Sequence, residues 1–502
     1  MSWAELPGLV DSPEDRRLVS LVRPADWVKP APRGRYNLVV LGGGTAGLVS
    51  AMGAAGLGAR VALCERELLG GDCLAFGCVP SKALLRSAHA AHAARNASSL
   101  GVSSGSVEVD GPAVFRRLRH LRADIAPHDA AARVRDAGVD VYLESARFTG
   151  HDSVEVNGAT LRFSRAVIAT GSRARVPEVP GLAEAGYLTN VTVFALSEPP
   201  PRLVVIGAGP IGCELSQAFA RLGSQVTLLG NKPQILPRDD HEAAECVAVA
   251  LRRELRLELG VRVRRVERRG EVRVVEVEQA GRVFVVEGEE VLVATGRTPN
   301  IEGLGLEAAG VETTPRGIAT NDFLRTSNRR VYAAGDVAGR WAFTHAADAM
   351  GRVVVRNALF FGRSRVSGLH VPWCTYTDPE LAQVGLTLSE AQARGAVTLT
   401  TSLERNDRAL IDGQTEGFAR VHLDPRRGTI LGATFVGAGA GDAIGEMAVA
   451  LQAGLRMEDL SATIHPYPTR IESWKRLGDD WQRAKLTPRV AGLLRRFLSL
   501  RR

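Results

Sequence analysis

The sequence predicts an α/β protein: two Rossmann-like dinucleotide-binding domains followed by a C-terminal α+β domain. Three observations predict it. An apolar run, a glycine turn, a small-residue stretch and a second apolar run follow one another from Tyr36 to Glu65. The same order returns about 165 residues later, from Arg202 to Gly230. From about residue 366 the texture changes to strand-like stretches flanking one helix. A chain of 502 residues, at roughly 150 per domain, has room for about three domains.

Residues 1–35 read as an extension. Pro24, Pro30 and Pro32 interrupt regular structure, and Trp3 and Trp27 are expected as apolar anchors onto the body. Asn37–Leu41 reads as a buried parallel strand, Ala46–Gly58 as a tightly packed helix and Arg60–Cys64 as the next strand. The second unit repeats this with Arg202–Ile206, Cys213–Leu222 and Gln225–Leu229. Two near copies, Ala166-Val-Ile-Ala-Thr-Gly171 and Val291-Leu-Val-Ala-Thr-Gly296, each run a strand into a glycine turn. In the third domain Thr415–Leu423 and Gly428–Val436 read as strands and Ala443–Leu455 as a helix. Thr487–Arg502 reads as a basic amphipathic helix, whose apolar face either docks on the body or makes a weak contact with an anionic membrane surface.

Composition narrows the function classes. With 45% apolar and 24% charged residues the chain is globular, and no apolar run reaches 18 residues. Glu5, Asp11, Glu14 and Asp15 argue against a signal peptide, and six cysteines are too few for a disulfide scaffold, so the cytosol is the expected compartment. The net charge of +8 is mild for this length. No nucleic-acid-binding pattern or metal-ligand cluster is found, so neither a nucleic acid nor a bound metal is expected.

Gly42, Gly44 and Gly47 match G-x-G-x-x-G directly after a strand and before a helix, the turn that lets a backbone approach a pyrophosphate at a helix N-terminus. Glu65, 23 residues after Gly42, ends the second strand and can accept from a ribose diol. Gly207, Gly209 and Gly212 repeat the pattern. There the second strand ends in Gly230-Asn231-Lys232, with no acid and one cation, which points to NADPH over NADH.

The most specific stretch is Gly70-Gly-Asp-Cys73-Leu-Ala-Phe-Gly77-Cys78-Val-Pro80-Ser-Lys82. Two cysteines five apart on a regular helix are too far apart for a disulfide, so a bond needs a distorted first turn, which Gly77 permits. Pro80 suits a helix opening, and a thiol there gains thiolate character from the dipole.

Behind a first glycine turn, Gly-Gly-x-Cys-x4-Cys-Val-Pro-Ser-Lys resembles the class I pyridine nucleotide–disulfide oxidoreductases, with glutathione reductase, dihydrolipoamide dehydrogenase and mercuric reductase among them. Further matching stretches are Gly207-Ala-Gly-Pro-Ile-Gly-Cys-Glu214, Ala294-Thr-Gly-Arg-Thr-Pro-Asn300, Tyr332-Ala-Ala-Gly-Asp336 and Phe343-Thr-His-Ala346. Gly-Gly-Asp-Cys-Leu, Pro372-Trp-Cys-Thr-Tyr-Thr-Asp-Pro379 and Ile464-His-Pro-Tyr-Pro-Thr469 are similar to the mercuric-reductase-like branch. The resemblance implies FAD on the first unit, held by Gly42, Gly44, Thr45, Ala46, Gly47, Glu65, Gly71, Asp72, Lys82, Thr170, Gly171, Asp336 and Ala346. It implies NAD(P)H on the second, at Gly207, Gly209, Gly212, Glu214, Asn231, Lys232 and Gly296. Lys82 and Glu214 would pair beside the flavin, with Cys78 as the flavin-facing thiol and Cys73 as the exposed interchange thiol. The implied divisions are an extension at 1–35, an FAD-binding domain at 36–175 and 295–365, an NAD(P)-binding domain at 176–294, a dimerisation domain at 366–480 and a basic tail at 481–502. A homodimer is implied, in which the C-terminal motif of one subunit completes the other's site.

One motif departs from the family. Disulfide reductases carry His-Pro-Thr-x-x-Glu; here Tyr467-Pro-Thr-Arg-Ile-Glu472 stands in that register, and His465 lies two residues early. Tyrosine is a poor base at neutral pH, so Tyr467, His465 and Glu472 are all candidates for the proton shuttle. The stretch from Cys374 to Arg502 holds no further cysteine, so the paired delivery thiols of mercuric reductase are not found in it. Cys64, Cys213, Cys246 and Cys374 read as structural and His345 as packing beside the flavin. The expected function is electron transfer from NADPH through FAD and the Cys73–Cys78 disulfide to a soft electrophile: Hg(II), a small disulfide or a persulfide. Alternatives are direct quinone or nucleotide reduction by the flavin, and a membrane-surface interaction protein on a flavin-binding scaffold.

Overall fold

The computed structural model describes residues 6–360 and 362–502, so Trp3 lies outside the described residues. The chain separates into two compact units, residues 1–231 with 261–369 and residues 232–260 with 370–502.

In the first unit, five strands run parallel in one sheet: Val139–Tyr142, Val61–Cys64, Arg35–Leu41, Ala159–Ile168 and Val331–Ala333. Their paired centres, Leu38–Leu41, Val61–Cys64 and Ala166–Ile168, are apolar and buried because both faces of a parallel sheet are covered. The register sets Leu41 opposite both Cys64 and Ile168, and Ala333 opposite Ile168. Gly42, Glu65, Thr170 and Asp336 therefore emerge at one edge, the carboxyl ends of the strands, where ligands of such sheets bind. Ser153–Val156 and Ala146–Gly150 extend the sheet antiparallel. A second parallel sheet sets Ile206 opposite Leu229 and Val293, which brings Gly207, Gly230 and Gly296 to its carboxyl edge. Helices Thr45–Gly56 and Pro210–Arg221 follow the two glycine turns.

The N-terminal stretch is more ordered than its prolines suggest. Pro13–Val22 is a helix capped by Ser12, whose hydroxyl accepts from the Asp15 N–H. It buries Leu18, Val19 and Val22 in the same core as Leu74, Ala75 and Phe76. Trp27 donates its indole N–H to the Val141 carbonyl at 3.0 Å, as an anchor should.

The second unit is built on a five-stranded antiparallel sheet in the order Trp373–Thr375, Glu380–Gly385, Ile430–Gly437, Phe418–Leu423, Val397–Ser402. Helices Ala440–Ala453 and Glu472–Ala484 supply its core, where Trp474 lies edge-on to Phe435 at 5.5 Å. The last helix, Pro488–Ser499, is capped by Thr487 and buries none of its residues. The docking expectation for the tail is corrected accordingly: Val490, Leu493, Leu494 and Phe497 form the stripe, yet each is exposed. Among the described residues no helix is long and apolar enough to cross a membrane.

Candidate active site

The two glycine turns are built alike. A Cβ on Gly42 would lie 2.3 Å from the Ala169 carbonyl oxygen, and one on Gly47 only 1.8 Å from that of Gly42. The corresponding distances at Gly207 and Gly212 are 2.4 Å to Ala294 and 1.8 Å to Gly207. Packing of the protein on itself therefore fixes the outer glycines. The middle ones differ: a Cβ on Gly44 meets nothing nearer than 3.9 Å, and one on Gly209 nothing within 4 Å. These two open their helices without a side-chain cap, so first-turn N–H groups remain available to an outside acceptor. A pyrophosphate on each turn fits this geometry.

Glu65 ends its strand and is buried. Its carboxylate accepts the Gly43 N–H at 2.5 Å and the Glu67 N–H at 2.6 Å. Burial raises its pKa. A carboxylate offers about four acceptor positions, so two remain for a ribose diol.

The cysteines lie on either side of a helix break. Cys73 belongs to the short helix Gly71–Ala75, and Cys78 is the first residue of the helix Cys78–Arg95. Gly77 makes the break, and a Cβ there would lie 2.9 Å from the Asp72 carbonyl oxygen. Both thiols are free. Cys78 Sγ is 3.3 Å from the hydroxyl of Thr344, which opens the helix Thr344–Leu359. Hydrogen bonding from Cys73 first, then from Thr344, and the Lys82 charge together lower the Cys78 thiol to about 6 against the opposing effect of burial. The same pairing and burial push Cys73 up. Thiolate character in the pair is thus favoured at Cys78 over Cys73.

In the chain alone Cys78 is exposed and Cys73 half-buried. Cys78 opens its helix beside Thr344, whereas Cys73 sits within a short helix whose neighbours Leu74 and Ala75 are in the core.

Lys82, one turn after Cys78, makes a 2.7 Å ion pair with the buried Glu214 in the helix of the second glycine turn. Asp72, beside Cys73, accepts from Asn190 at 2.9 Å and from Arg297 at 3.0 Å. Arg297 also donates to the Ser172 hydroxyl at 2.6 Å, and Ser172 in turn donates to Asp336 at 2.5 Å. Burial raises the pKa of Asp336. One arginine thus ties the cysteine turn to the acid at the sheet edge. Asn190, Ser172, Arg297 and Thr344 carry no role in the sequence reading, although Arg297 and Thr344 stand inside its quoted motifs.

From below, the cysteine turn rests on the N-terminal helix. The Arg122 guanidinium donates to the Ala75 carbonyl at 2.8 Å and pairs with Asp15 at 2.7 Å, both side chains 0% exposed. A Cβ on Gly8 would lie 2.1 Å from the Val191 carbonyl oxygen and 3.0 Å from the Phe76 ring.

In the second unit, His465 Nε2 lies 2.9 Å from a Glu446 carboxylate oxygen, and Nδ1 3.1 Å from the Thr463 carbonyl. Its acidic partner is therefore Glu446 of the helix Ala440–Ala453 rather than Glu472, which opens the helix Glu472–Ala484. Tyr467 is exposed and donates to Asp407 at 2.9 Å, and that carboxylate raises the phenol pKa. Cys64 and Cys213 are buried, and Cys246 and Cys374 half-buried. Among the described residues no group of three candidate metal ligands occurs.

The pyridine nucleotide-disulphide oxidoreductase pattern matches residues 36–351, and the dimerisation domain of that family matches residues 371–477. The chain belongs to this family. Its members are FAD-dependent and use a pyridine nucleotide. This oxidoreductase is 37% identical over 444 residues to the mercuric reductase of Bacillus cereus, covering 88% of this chain and 70% of that protein. It is 34% identical to the dihydrolipoyl dehydrogenase of Bacillus subtilis (strain 168), covering 86% of this chain and 93% of the relative. Among solved structures it is similar to the HOCl-induced flavoprotein disulfide reductase RclA from Escherichia coli, with TM-score 0.79 at 26% identity, covering 88% of this chain and 99% of that one.

Proposed function

We propose that this flavoprotein disulfide oxidoreductase carries electrons from NADPH to the Cys73–Cys78 disulfide and on to a thiophilic acceptor: a soft metal ion such as Hg(II), a small disulfide or a persulfide. The observation that carries the proposal is the placement of two free thiols across a helix break, with Cys78 opening its helix 3.3 Å from the Thr344 hydroxyl and one turn before the Lys82–Glu214 ion pair.

The first glycine turn, Glu65 and Asp336 would hold FAD, which when bound relays two electrons from nucleotide to disulfide. Two electrons and one proton break the Cys73–Cys78 bond and leave the Cys73 thiol and the Cys78 thiolate. With a disulfide acceptor, Cys73 loses its proton, attacks one sulfur and forms a mixed disulfide, and the first thiol leaves with a proton. Cys78 then attacks Cys73 Sγ, which restores the disulfide and releases the second group as a thiolate that takes its proton from solvent. With a metal ion, Cys73 would give its proton to solvent, both sulfurs would ligate the ion as thiolates, and the two electrons supplied by the nucleotide would reduce the bound ion. Lys82 and Thr344 stabilise the Cys78 thiolate through charge and hydrogen bonding. In the homodimer that the dimerisation domain supports, His465 backed by Glu446 serves as proton carrier. Tyr467 is unsuited, because Asp407 keeps its phenol protonated. The names of the mercuric reductases and the Cu(II) complex of the E. coli disulfide reductase support a thiophilic acceptor.

NADPH is assigned from Gly230-Asn231-Lys232 at the end of the second nucleotide strand, which offers a cation and no acid to a 2′-phosphate. The test is turnover of purified enzyme with NADPH and NADH against Hg(II), Cu(II), small disulfides and quinones, with Cys73→Ser and Cys78→Ser in parallel. The expected result is NADPH-dependent reduction of a thiophilic acceptor that both substitutions abolish. Quinone turnover that survives both substitutions replaces this reading with direct reduction by the flavin, and a kcat/KM ratio favouring NADH removes the nucleotide assignment.

A further inference from the structure

The tail is a finished helix that buries none of its residues against the other described residues. Thr487 accepts from the Val490 N–H at 3.3 Å, and Pro488 takes the first helical position. Over twelve residues, roughly 18 Å, Val490, Leu493, Leu494 and Phe497 line one face. They are 41%, 66%, 46% and 52% exposed, and Leu500 just beyond is 86% exposed. Arg489, Arg495 and Arg496 lie on the helix, and Arg501 and Arg502 follow it. No acid occurs after Asp480, and none of the five arginines has an ion-pair partner among the described residues.

We propose that the helix Pro488–Ser499 seats this protein on an anionic lipid surface, lying in the plane of the interface with its leucine–phenylalanine face buried and its arginines among the headgroups. An apolar stripe flanked by cations alone matches a surface that is apolar inside and negative outside. A second copy of the chain is a poorer occupant. It would bring like-charged arginine clusters together, and the family's dimerisation domain lies elsewhere, at residues 371–477. A single short helix binds reversibly, and a dimer presenting two copies to one surface gains avidity. The proposal is independent of the acceptor.

The test is co-sedimentation of the full-length, FAD-loaded protein with vesicles of phosphatidylglycerol and phosphatidylcholine, and with phosphatidylcholine alone. The intact protein is expected to pellet with the anionic vesicles at low salt, to be released by high salt and to ignore the neutral ones. Each arginine near such a surface strengthens binding roughly fivefold, so Arg495→Glu/Arg496→Glu should weaken it by about 25-fold or more. Deletion of 487–502 should abolish pelleting and leave nucleotide oxidation unchanged, which also shows that the shortened chain folds. Intact protein remaining in the supernatant at low salt overturns the proposal, as does pelleting that survives the deletion. A fall in oligomeric mass on deletion, without vesicle binding, assigns the face to a second copy instead.

Discussion

The helices Pro13–Val22 and Pro488–Ser499 begin in the same way, with a hydroxyl cap followed by proline, and both carry an apolar stripe. One is locked into the core and the other buries nothing. The difference lies in their charges. The first places Asp15 where Arg122 can pair with it out of solvent, while the tail offers only cations and finds no acid. Periodicity shows that a helix has a stripe to cover, whereas charge complementarity selects what covers it.

This contrast can be broken at several points. Asp15→Ala leaves Arg122 buried and unpaired, and should lower stability by about 3–5 kcal/mol in denaturant unfolding. Asp15→Ala/Arg122→Leu should recover part of that loss. Arg496→Ala should stay within about 0.5 kcal/mol of the parent. Leu18→Ala should cost about 2–5 kcal/mol, and Leu493→Ala no more than about 0.5 kcal/mol. Equal losses at the two leucines would show that the tail is docked after all. At the caps, Ser12→Ala should cost about 1 kcal/mol of global stability, whereas Thr487→Ala should leave the unfolding midpoint in place.

The smallest expected effect is that of tail deletion on the cysteines. In the reduced protein, alkylation of Cys78 by iodoacetamide requires the thiolate, so its rate should fall as pH drops through about 6. Deleting 487–502 should not move that midpoint. Cys73→Ala removes the main hydrogen bond to the thiolate and should move it upward, toward the ordinary thiol range. An unchanged midpoint in Cys73→Ala would show that Lys82 and Thr344 suffice.

The elements legible in the sequence are those written locally. The glycine turns, the strands around them and the Cys73–Cys78–Lys82 spacing each lie within a few turns of chain, and backbone sterics dictate them. The N-terminal helix is also written locally, in Ser12-Pro-Glu-Asp15 and the Leu18, Val19 and Val22 stripe, and the prolines at 24, 30 and 32 interrupt only the segment that follows it. Other features come from distant segments. Arg297 reaches Asp72 across 225 positions, and Glu446 reaches His465 from another helix. Spacing cannot reveal such partners, because the fold alone brings them together.

Lys82 and Glu214 occupy equivalent places, each the fifth residue of its helix, one opened by Cys78 and the other by the second glycine turn. Their ion pair works as a ruler. Each side contributes a rigid helical turn of roughly 6 Å, so the spacing between the thiolate and the nucleotide turn is set by two stiff rods and a clasp. The proposed nucleotide preference, by contrast, rests on Gly230, on a strand tip outside the clasp. On that proposal the two properties are separable by design: exchanging Gly230 for an acid is expected to re-address the enzyme to a different reductant pool, while the spacing set by Lys82 and Glu214 keeps its length.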